Sequence, residues 1–473
     1  MKKIFLAFFI TVFVFHSFFI KTVSAQTIAA GLNFSLSVCH DSTVKSWGYN
    51  YYGQLGLGDT IDRLAPVIVN GLTGIAAVDA GEWHFIALKN NGTVWSAGNN
   101  NNGQLGNGII GNSSVPVQVF GLSTIRSIAS GQNHCLALKN DSTVWAWGYN
   151  LYGQIGDGTT TIVACQCKPS PVPIANLNNV IALAAGGNHS LALRSDSTVW
   201  AWGKNTNGQL GDSTNNDSSI PIKVNGLNGI IAISAGGIHS LALKADGTVY
   251  SWGGNVNGQL GDSTILDINY PKQLNGLTNV MAISAGFNHS MALKSDSTIW
   301  SWGHNNYSQL GDGTLADRHF PVPASGLTGI ASIEAGGVHS MAEKNNATLQ
   351  AWGNDYYGLG DGMVVHFGCE CRMIPITVTN WCSVVSVEET NEEDQGIIIF
   401  PNPFSVQAVI SFNREQTNTL VKFHDVLGKE IKAMVLNNEK NLIIQKNEMP
   451  TGIYFLQIID SNKNIINKKI IIQ

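Results

Sequence analysis

A stretch of about fifty residues that recurs along the chain constrains its fold more than any other feature. The clearest copy runs from Ala235 to Gly261 and reads AGGIHSLALKADGTVYSWGGNVNGQLG. Seven copies follow one another, and six of them contain the pair Trp-Gly, which Ala97-Gly98 replaces in the second copy. The pair recurs every 50 residues, with one step of 55. A fixed period in this range indicates supersecondary units that stack on their neighbours.

Each copy predicts four short strands. Two runs, Ile231–Ser234 and Leu241–Lys244, alternate large and small residues with the period of two that strands show. The pair Asp246-Gly247 favours a tight hairpin turn before a third run, Val249–Trp252. A fourth run, Tyr270–Leu274, contains a proline and should lie on a sheet edge. Four strands in each of seven copies predict an all-β chain that begins with a seven-bladed β-propeller.

The first 25 residues predict a secretory signal peptide. A basic start precedes the apolar run Ile4–Ile20, and small residues lead to a cleavage site after Ala25. The alternative is an uncleaved membrane anchor, but this run is short for a span and contains His16. No later segment is apolar enough to span a bilayer, so we expect no transmembrane segment in the mature chain.

Charge and composition divide the remaining chain into a propeller (residues 26–387), an acidic linker (388–395) and a C-terminal module (396–473). Residues 26–385 carry 15 Lys and Arg against 21 Asp and Glu, a net charge of −6 without a basic stripe. This balance argues against nucleic-acid binding. The C-terminal module contains seven short extended runs, which predict a small β-sandwich.

The repeat pattern AGxxHSLAL, DGTVxxWG and NxxGQLG resembles the repeat of the regulator of chromosome condensation family over roughly residues 27–387. The resemblance implies a seven-bladed propeller. That family includes a nuclear exchange factor for a small GTPase and a secreted bacterial inhibitor of β-lactamases. The exchange-factor role fits poorly with an exported, acidic chain.

The C-terminal module resembles the sorting domain of type IX secretion substrates. Four segments carry this resemblance: Phe400–Pro403, Asp425–Lys429, Gly452–Phe455 and Lys468–Gln473. It implies passage across an outer membrane, with the type IX secretion machinery as a partner. The protein is then expected to be secreted or attached to the outer-membrane surface.

One histidine recurs in each copy from the second to the seventh, three residues after a glycine. These histidines are His84, His134, His189, His239, His289 and His339. A residue that every blade repeats is expected to serve every blade, for example in a hydrogen bond between blades, whereas catalysis needs an asymmetric set of groups. We therefore predict a structural role for them, and we predict no catalytic residue, metal site or cofactor.

Two Cys-x-Cys pairs follow Asp-Gly turns in the third and seventh copies. The pairs are Cys165 with Cys167 and Cys369 with Cys371. Export favours a local disulfide within each pair. The alternative is a zinc site of irregular spacing, with His366, Cys369, Cys371 and Cys382 as its ligands. Cys135 stands where later copies have serine and is expected to be a buried free thiol, while Cys39 and Cys382 are left without an assigned partner.

Function should lie where the copies differ. The loop after Trp-Gly and the two residues before each repeated histidine vary, and they carry aromatic side chains of the kind found in binding loops. The alternative is that these are ordinary turn residues, and whether both loop sets open on one face is left open. The candidate ligand-binding residues are Tyr51, Tyr52, Trp83, Tyr149, Tyr152, Phe287, Tyr307, Tyr356 and Tyr357.

These observations predict a secreted, monomeric propeller that binds a protein or a glycan. One alternative is an inhibitor of an extracellular enzyme, as the secreted relative suggests. Another is an enzyme built on the ring, which would require an asymmetric cluster of titratable groups in the central channel.

Overall fold

The computed structural model describes residues 27–161, 165, 167–364, 370–382, 397–400, 407–424, 430–446, 450, 452–461 and 465–472. The predicted signal peptide and the predicted linker lie outside these residues. The described residues form 35 strands and no α-helix, and none of their segments is a helix that could span a membrane. The chain divides into two compact units between residues 382 and 383.

The first unit is a seven-bladed propeller, and each blade is one antiparallel sheet of four consecutive strands. The strands of blades 1 to 4 are β1 Ile28–Ala30, β2 Phe34–Val38, β3 Val44–Gly48, β4 Arg63–Ile68; β5 Ile75–Ala80, β6 His84–Lys89, β7 Val94–Gly98, β8 Ser113–Gln118; β9 Ile125–Ser130, β10 His134–Lys139, β11 Val144–Tyr149, β12 Cys167–Pro173; β13 Val180–Ala185, β14 His189–Arg194, β15 Val199–Gly203 and β16 Ser218–Lys223. Those of blades 5 to 7 are β17 Ile230–Ala235, β18 His239–Lys244, β19 Val249–Gly253, β20 Ile268–Gln273; β21 Val280–Ala285, β22 His289–Lys294, β23 Ile299–Gly303, β24 Arg318–Pro323; β25 Ile330–Ala335, β26 His339–Lys344, β27 Leu349–Asn354 and β28 Cys371–Thr377.

Local sequence explains the geometry of a blade. In blade 5, Gly247 has a φ of 81°, which the tight turn between β18 and β19 requires. The first strand, β17, lines the central channel, and the fourth strand, β20, lies at the other edge of the sheet. Pro271 lies in that edge strand, where it removes no hydrogen bond from the ladder.

Buried tryptophans join neighbouring blades. Trp252 is fully buried, and its indole Nε1 donates to the main-chain carbonyl of Gln209 in the preceding blade at 2.9 Å. Four other blade junctions repeat this bond. Trp47 of blade 1 is the exception, because its Nε1 has no acceptor among the residues that the structure describes. The loop of blade 7 reads Tyr357-Gly358-Leu359 and lacks the glutamine that supplies the carbonyl elsewhere.

A disulfide lies at the junction of blades 7 and 1. Cys39 and Cys382 are bonded across a sequence separation of 343 residues, with their Cα atoms 5.2 Å apart. No strand is exchanged between the two blades, and the backbone N–H of Gly337 donates to the carbonyl of Gly31 at 2.9 Å. The zinc alternative is wrong for Cys382, because its sulfur is bonded to Cys39.

The remaining cysteines lie in or near blades 3 and 7. Cys165 and Cys167 form a disulfide. Cys371 is also disulfide-bonded, while Cys369, its predicted partner, lies outside the described residues. Cys135 is a buried free thiol in β10.

The second unit contains seven strands in two sheets. They are β29 Ile397–Phe400, β30 Gln407–Gln416, β31 Thr419–His424, β32 Glu430–Leu436, β33 Glu439–Gln445, β34 Gly452–Ile459 and β35 Ile465–Ile472. One sheet has the order β29-β30-β33 and the other β32-β31-β34-β35. Ile410 and Phe412 of the first sheet share one buried core with Val421 and Phe423 of the second. This unit is therefore a small β-sandwich.

Candidate functional site

The repeated histidines lie between blades. In blade 5, His239 Nε2 is 2.8 Å from the Oγ atom of Ser290 in blade 6. The Ser290 hydroxyl donates its single hydrogen to the carbonyl of Gln259 at 2.9 Å, so the imidazole donates from Nε2. The matching pairs are His134–Ser190, His189–Ser240, His289–Ser340, His339–Ser35 and, with a thiol, His84–Cys135.

The other ring nitrogen of each histidine faces backbone. Nδ1 of His239 has no hydrogen-bond partner in the described part of the chain. It lies against Gly236, where an added Cβ would come within 2.5 Å of it. Burial lowers the pKa of His239 to about 3 and that of His189 to about 4. The imidazoles are therefore neutral at pH 7 and are poor proton acceptors.

The junction of blades 1 and 2 uses an apolar version of the same contact. Phe34 occupies the histidine position of blade 1, and Phe85 occupies the serine position of blade 2. Both phenylalanines are buried in one core cluster. Ala97, which replaces the repeated tryptophan in blade 2, leaves room for the Phe85 ring beside it. Apolar packing can therefore replace the hydrogen bond at this junction, which supports a structural role for the histidines.

We expect the His239→Ala substitution to destabilise the propeller without removing a specific activity. It leaves a cavity and deprives the buried hydroxyl of Ser290 of one partner, at a cost of roughly 1–3 kcal/mol. Urea unfolding followed by tryptophan fluorescence would measure this cost. An unchanged unfolding curve together with lost ligand binding would show that His239 is functional instead.

The central channel contains polar groups from only some of the blades. It encloses about 260 Å³. The described residues that line it include the acidic Asp79, Glu82 and Glu334 and no Lys, Arg or His. Asp79 accepts the backbone N–H of Ser130 at 2.7 Å. The Ser130 hydroxyl lies 3.3 Å from His84 Nε2.

This Ser130–His84 pair is poorly suited to nucleophilic catalysis. Burial lowers the pKa of His84 to about 3, so the imidazole is a weak base. Its Nδ1 atom has no partner that would orient the ring. Among the described residues, no group of three or more metal-binding side chains is close enough to hold an ion.

Six aromatic side chains meet where blades 7, 1 and 2 adjoin, and we call them the aromatic patch: Tyr49, Tyr51, Tyr52, Trp83, Tyr356 and Tyr357. Their ring centroids are 4.4 Å apart for Tyr49 and Tyr357, 5.2 Å for Tyr49 and Trp83, and 5.8 Å for Tyr52 and Trp83. Tyr51 and Tyr356 are the most exposed of the six, at 66% and 49%.

The patch combines side chains from both sets of variable loops, the loops after Trp-Gly and the loops that precede the repeated histidines. Successive strands of a blade run in opposite directions, so the loop from the first to the second strand and the loop from the third to the fourth leave the same edge. Trp83 belongs to the first kind of loop and Tyr52 to the second, and their rings are in contact. Both loop sets therefore open on one face.

Five of the nine predicted binding residues belong to the patch, and four do not. Tyr149 and Tyr152 form a separate pair with ring centroids 6.3 Å apart. Tyr307 lies beside His304, and Phe287 lines the channel. The prediction missed Tyr49, although this residue directly follows Trp-Gly in blade 1. Blade 7, which adjoins blade 1 in the ring, also carries tyrosines in this loop.

Two carboxylates lie next to the patch. Glu82 precedes Trp83 and shares a side-chain hydrogen bond with it, and burial raises the pKa of Glu82. Asp62 accepts the backbone N–H of Asn50 at 2.7 Å. Because Asn50 lies between Tyr49 and Tyr51 in the chain, this bond places Asp62 beside the rings. Burial, Tyr356 and the charge of Asp62 together raise the pKa of Tyr357.

Sequence comparisons identify both units. The chain matches the RCC1-like domain over residues 123–395 and the regulator of chromosome condensation (RCC1) repeat over residues 41–88 and 91–138. It matches the secretion system C-terminal sorting domain over residues 398–473.

Two curated relatives match shorter parts of the chain. The ultraviolet-B receptor UVR8 of Arabidopsis thaliana is 31% identical over 201 residues, which are 42% of this chain and 46% of the receptor. An endo-acting ulvan lyase of Formosa agariphila is 30% identical over 94 residues, 19% of this chain and 18% of the lyase. The chain thus spans less than half the length of either relative.

Solved structures support the fold. Human WBSCR16 superposes with a TM-score of 0.60 at 26% identity, over 67% of this chain and 86% of that one. Prp20p from Saccharomyces cerevisiae superposes with a TM-score of 0.62 at 23% identity, over 78% and 88% of the two chains. The chain therefore belongs to the RCC1-like domain family, as a propeller whose C-terminal sorting domain directs it through type IX secretion to the cell surface or the exterior.

Proposed function

We propose that this secreted propeller is a binding module, and that its ligand, a protein or a glycan, binds on the aromatic patch. In this proposal residues 1–25 are removed as a signal peptide, residues 26–387 form the propeller, 388–395 a linker and 396–473 the sorting domain. The propeller acts as a monomer and not as an enzyme. The observation that carries the proposal is the meeting of six aromatic side chains on the open loop face.

The composition of the patch suits binding. Tyrosine and tryptophan bury a large area and lose little side-chain entropy when they are held, so they make good anchors. Rings that are already in mutual contact, such as Tyr49 with Trp83 and Tyr357, are ordered before a ligand arrives. Exposed neighbours such as Tyr51 and Tyr356 offer further ring surface for contact with it.

Other blades of the chain show which substitutions the fold accepts at these positions. At the position of Trp83, blades 3, 4 and 6 carry Asn133, Asn188 and Asn288. At the position of Tyr52, blades 2 and 5 carry Asn102 and Asn257. The Trp83→Asn and Tyr52→Asn substitutions should therefore preserve the fold. Tyr307→Asn is a matched control, because Tyr307 has the position of Tyr52 in blade 6, outside the patch.

We expect the mature chain to retain a ligand from its native surroundings that the Tyr52→Asn/Trp83→Asn variant does not retain. Retained protein would be identified by mass spectrometry and retained glycan by sugar analysis. Loss of a central anchor should cost about 2 kcal/mol or more, about 30-fold in Kd, whereas the Tyr307→Asn control should bind as the unaltered chain does. Equal retention by the patch variant, or loss by the control, would place the site elsewhere on the ring.

A further inference from the structure

We propose that the aromatic patch binds a protein partner through an arginine or lysine side chain, held against the rings and between Glu82 and Asp62. This inference rests on the proposed function of the patch and names the chemistry of its ligand. The charge balance of the surrounding loops, the setting of each carboxylate and an internal precedent in blades 3 and 4 support it.

Not every carboxylate in the loops around the patch is paired with an Arg or Lys side chain of the described residues. Arg63 pairs with Asp59 at 2.6 Å. Arg372 pairs with Asp355 at 2.8 Å and with Asp361 at 2.7 Å. Within the described part of the chain, Asp62 and Glu82 form no ion pair. The patch therefore has a negative border that a cationic group would neutralise.

A cation would stabilise the Glu82 carboxylate more than that of Asp62, because Glu82 is partly removed from water. Its hydrogen bonds to the side chains of Trp83, Gln132 and Asn133 hold it at the edge of the patch without supplying a positive charge. A buried carboxylate without a charged partner pays a desolvation cost that an arriving cation offsets. Asp62 is exposed and is held in place by the Asn50 N–H.

Aromatic faces strengthen this preference. A ring attracts a cation over its face, and a guanidinium group also stacks on it. Between blades 3 and 4 the chain satisfies one such ring itself, because Lys204 Nζ lies 4.9 Å from the centroid of Tyr152. Tyr152 has the position of Tyr52, and the position of Lys204 is taken by the neutral Asn99 in blade 2. The cation that blade 4 supplies internally is therefore left for a partner to supply at the patch.

The test uses the mature chain and a fluorescent peptide, acetyl-Gly-Arg-Gly-Arg-Gly-amide, with fluorescence anisotropy as the readout. Its citrulline counterpart has nearly the same shape without the charge, and maltohexaose serves as a neutral glycan probe. We expect the arginine peptide to bind about tenfold or more tightly than the citrulline peptide, with an affinity that falls as salt rises.

Two carboxylate substitutions test the contact directly. Glu82→Gln has a precedent in Gln132 of blade 3, and Asp62→Asn has one in Asn112 of blade 2, whose side chain accepts the Asn100 N–H at 2.9 Å. Each should weaken the arginine peptide about five- to tenfold. Asp217→Asn is the matched control, because Asp217 accepts the Asn205 N–H at 2.7 Å in blade 4, far along the ring from the patch, and it should change nothing.

The inference would be overturned if the arginine peptide did not bind more tightly than the citrulline peptide. Binding of maltohexaose that Trp83→Asn abolishes and Glu82→Gln leaves unchanged would also overturn it, while the proposed function of the patch would stand. If the Trp83→Asn variant retained the ligand from the native surroundings as well as the unaltered chain does, the proposed function would be contradicted instead.

Discussion

Acidification to about pH 5.5 is expected to unfold the propeller, because six buried histidines stay neutral in the folded state. Burial lowers the pKa of each of them to about 3 or 4, whereas histidines in the unfolded chain titrate near pH 6.5. The unfolded state therefore binds more protons below pH 6.5, and the free energy of unfolding falls as the pH falls.

The size of the effect follows from the number of groups. One pH unit below the unfolded-state pKa, each histidine costs about 1.4 kcal/mol, so that six cost about 8 kcal/mol together. This is comparable to the whole net stability of a typical domain. Among the described carboxyl groups, Glu82 and Asp355 act in the opposite direction, since burial raises their pKa values, but they are two against six histidines. The histidines stop lowering the free energy of unfolding further near pH 4 to 3, where they begin to titrate in the folded state as well.

Urea unfolding at a series of pH values would measure this dependence. Tryptophan fluorescence reports on the propeller alone, because all 12 tryptophans precede residue 382. A His239→Phe/Ser290→Phe/Trp302→Ala variant, which copies the native Phe34, Phe85 and Ala97 at one blade junction, should reduce the pH slope by about one proton. A propeller whose stability is the same at pH 7.5 and pH 5 would disprove this assignment of the histidines as buried and neutral.

Loss of the disulfide between Cys39 and Cys382 should destabilise the propeller by about 5 kcal/mol. The bond spans 343 residues, and a cross-link that closes so long a loop restricts the unfolded chain strongly. Its junction also lacks the tryptophan hydrogen bond that five other junctions have. A Cys39→Ser/Cys382→Ser variant should therefore unfold at much lower urea concentration than the unaltered chain.

The chain offers a matched control for this measurement. Cys165 and Cys167 are bonded across a separation of only 2 residues, so Cys165→Ser/Cys167→Ser removes a disulfide without opening a long loop and should change stability little. If both double variants lost the same stability, the closing of the ring would not be the reason for the effect.

Periodicity made the fold predictable because every copy repeats the same local chemistry. The turn at Gly247, the edge position of Pro271 and the seven strands of the C-terminal unit all follow from short-range pattern. The pairing of Cys39 with Cys382 does not, since sequence spacing alone gives no distance between residues 343 positions apart. A closed ring does place the first and last blades side by side, and that argument would have suggested the pair.

The sequence predicted which type of side chain forms the candidate site, but not which of these side chains lie together. Aromatic residues in variable loops pointed to Tyr52 and Trp83, and the alternation of strand direction could have shown that their loops share a face. The grouping of some rings and the separation of others depend on which blades adjoin and on how each side chain packs. For this reason Tyr49 was missed, while Tyr149 and Phe287 lie outside the patch.

The use of four consecutive strands for every blade has a consequence for how such a ring could change in size. Because every described blade consists of four strands consecutive in the chain, a block of about fifty residues could be duplicated or removed without cutting any of these sheets. Cys39 and Cys382 would still lie on the first and last blades after such a change. The cross-link would then join the ends of rings with different numbers of blades, provided that the wedge between neighbouring blades adjusts enough for the circle to close.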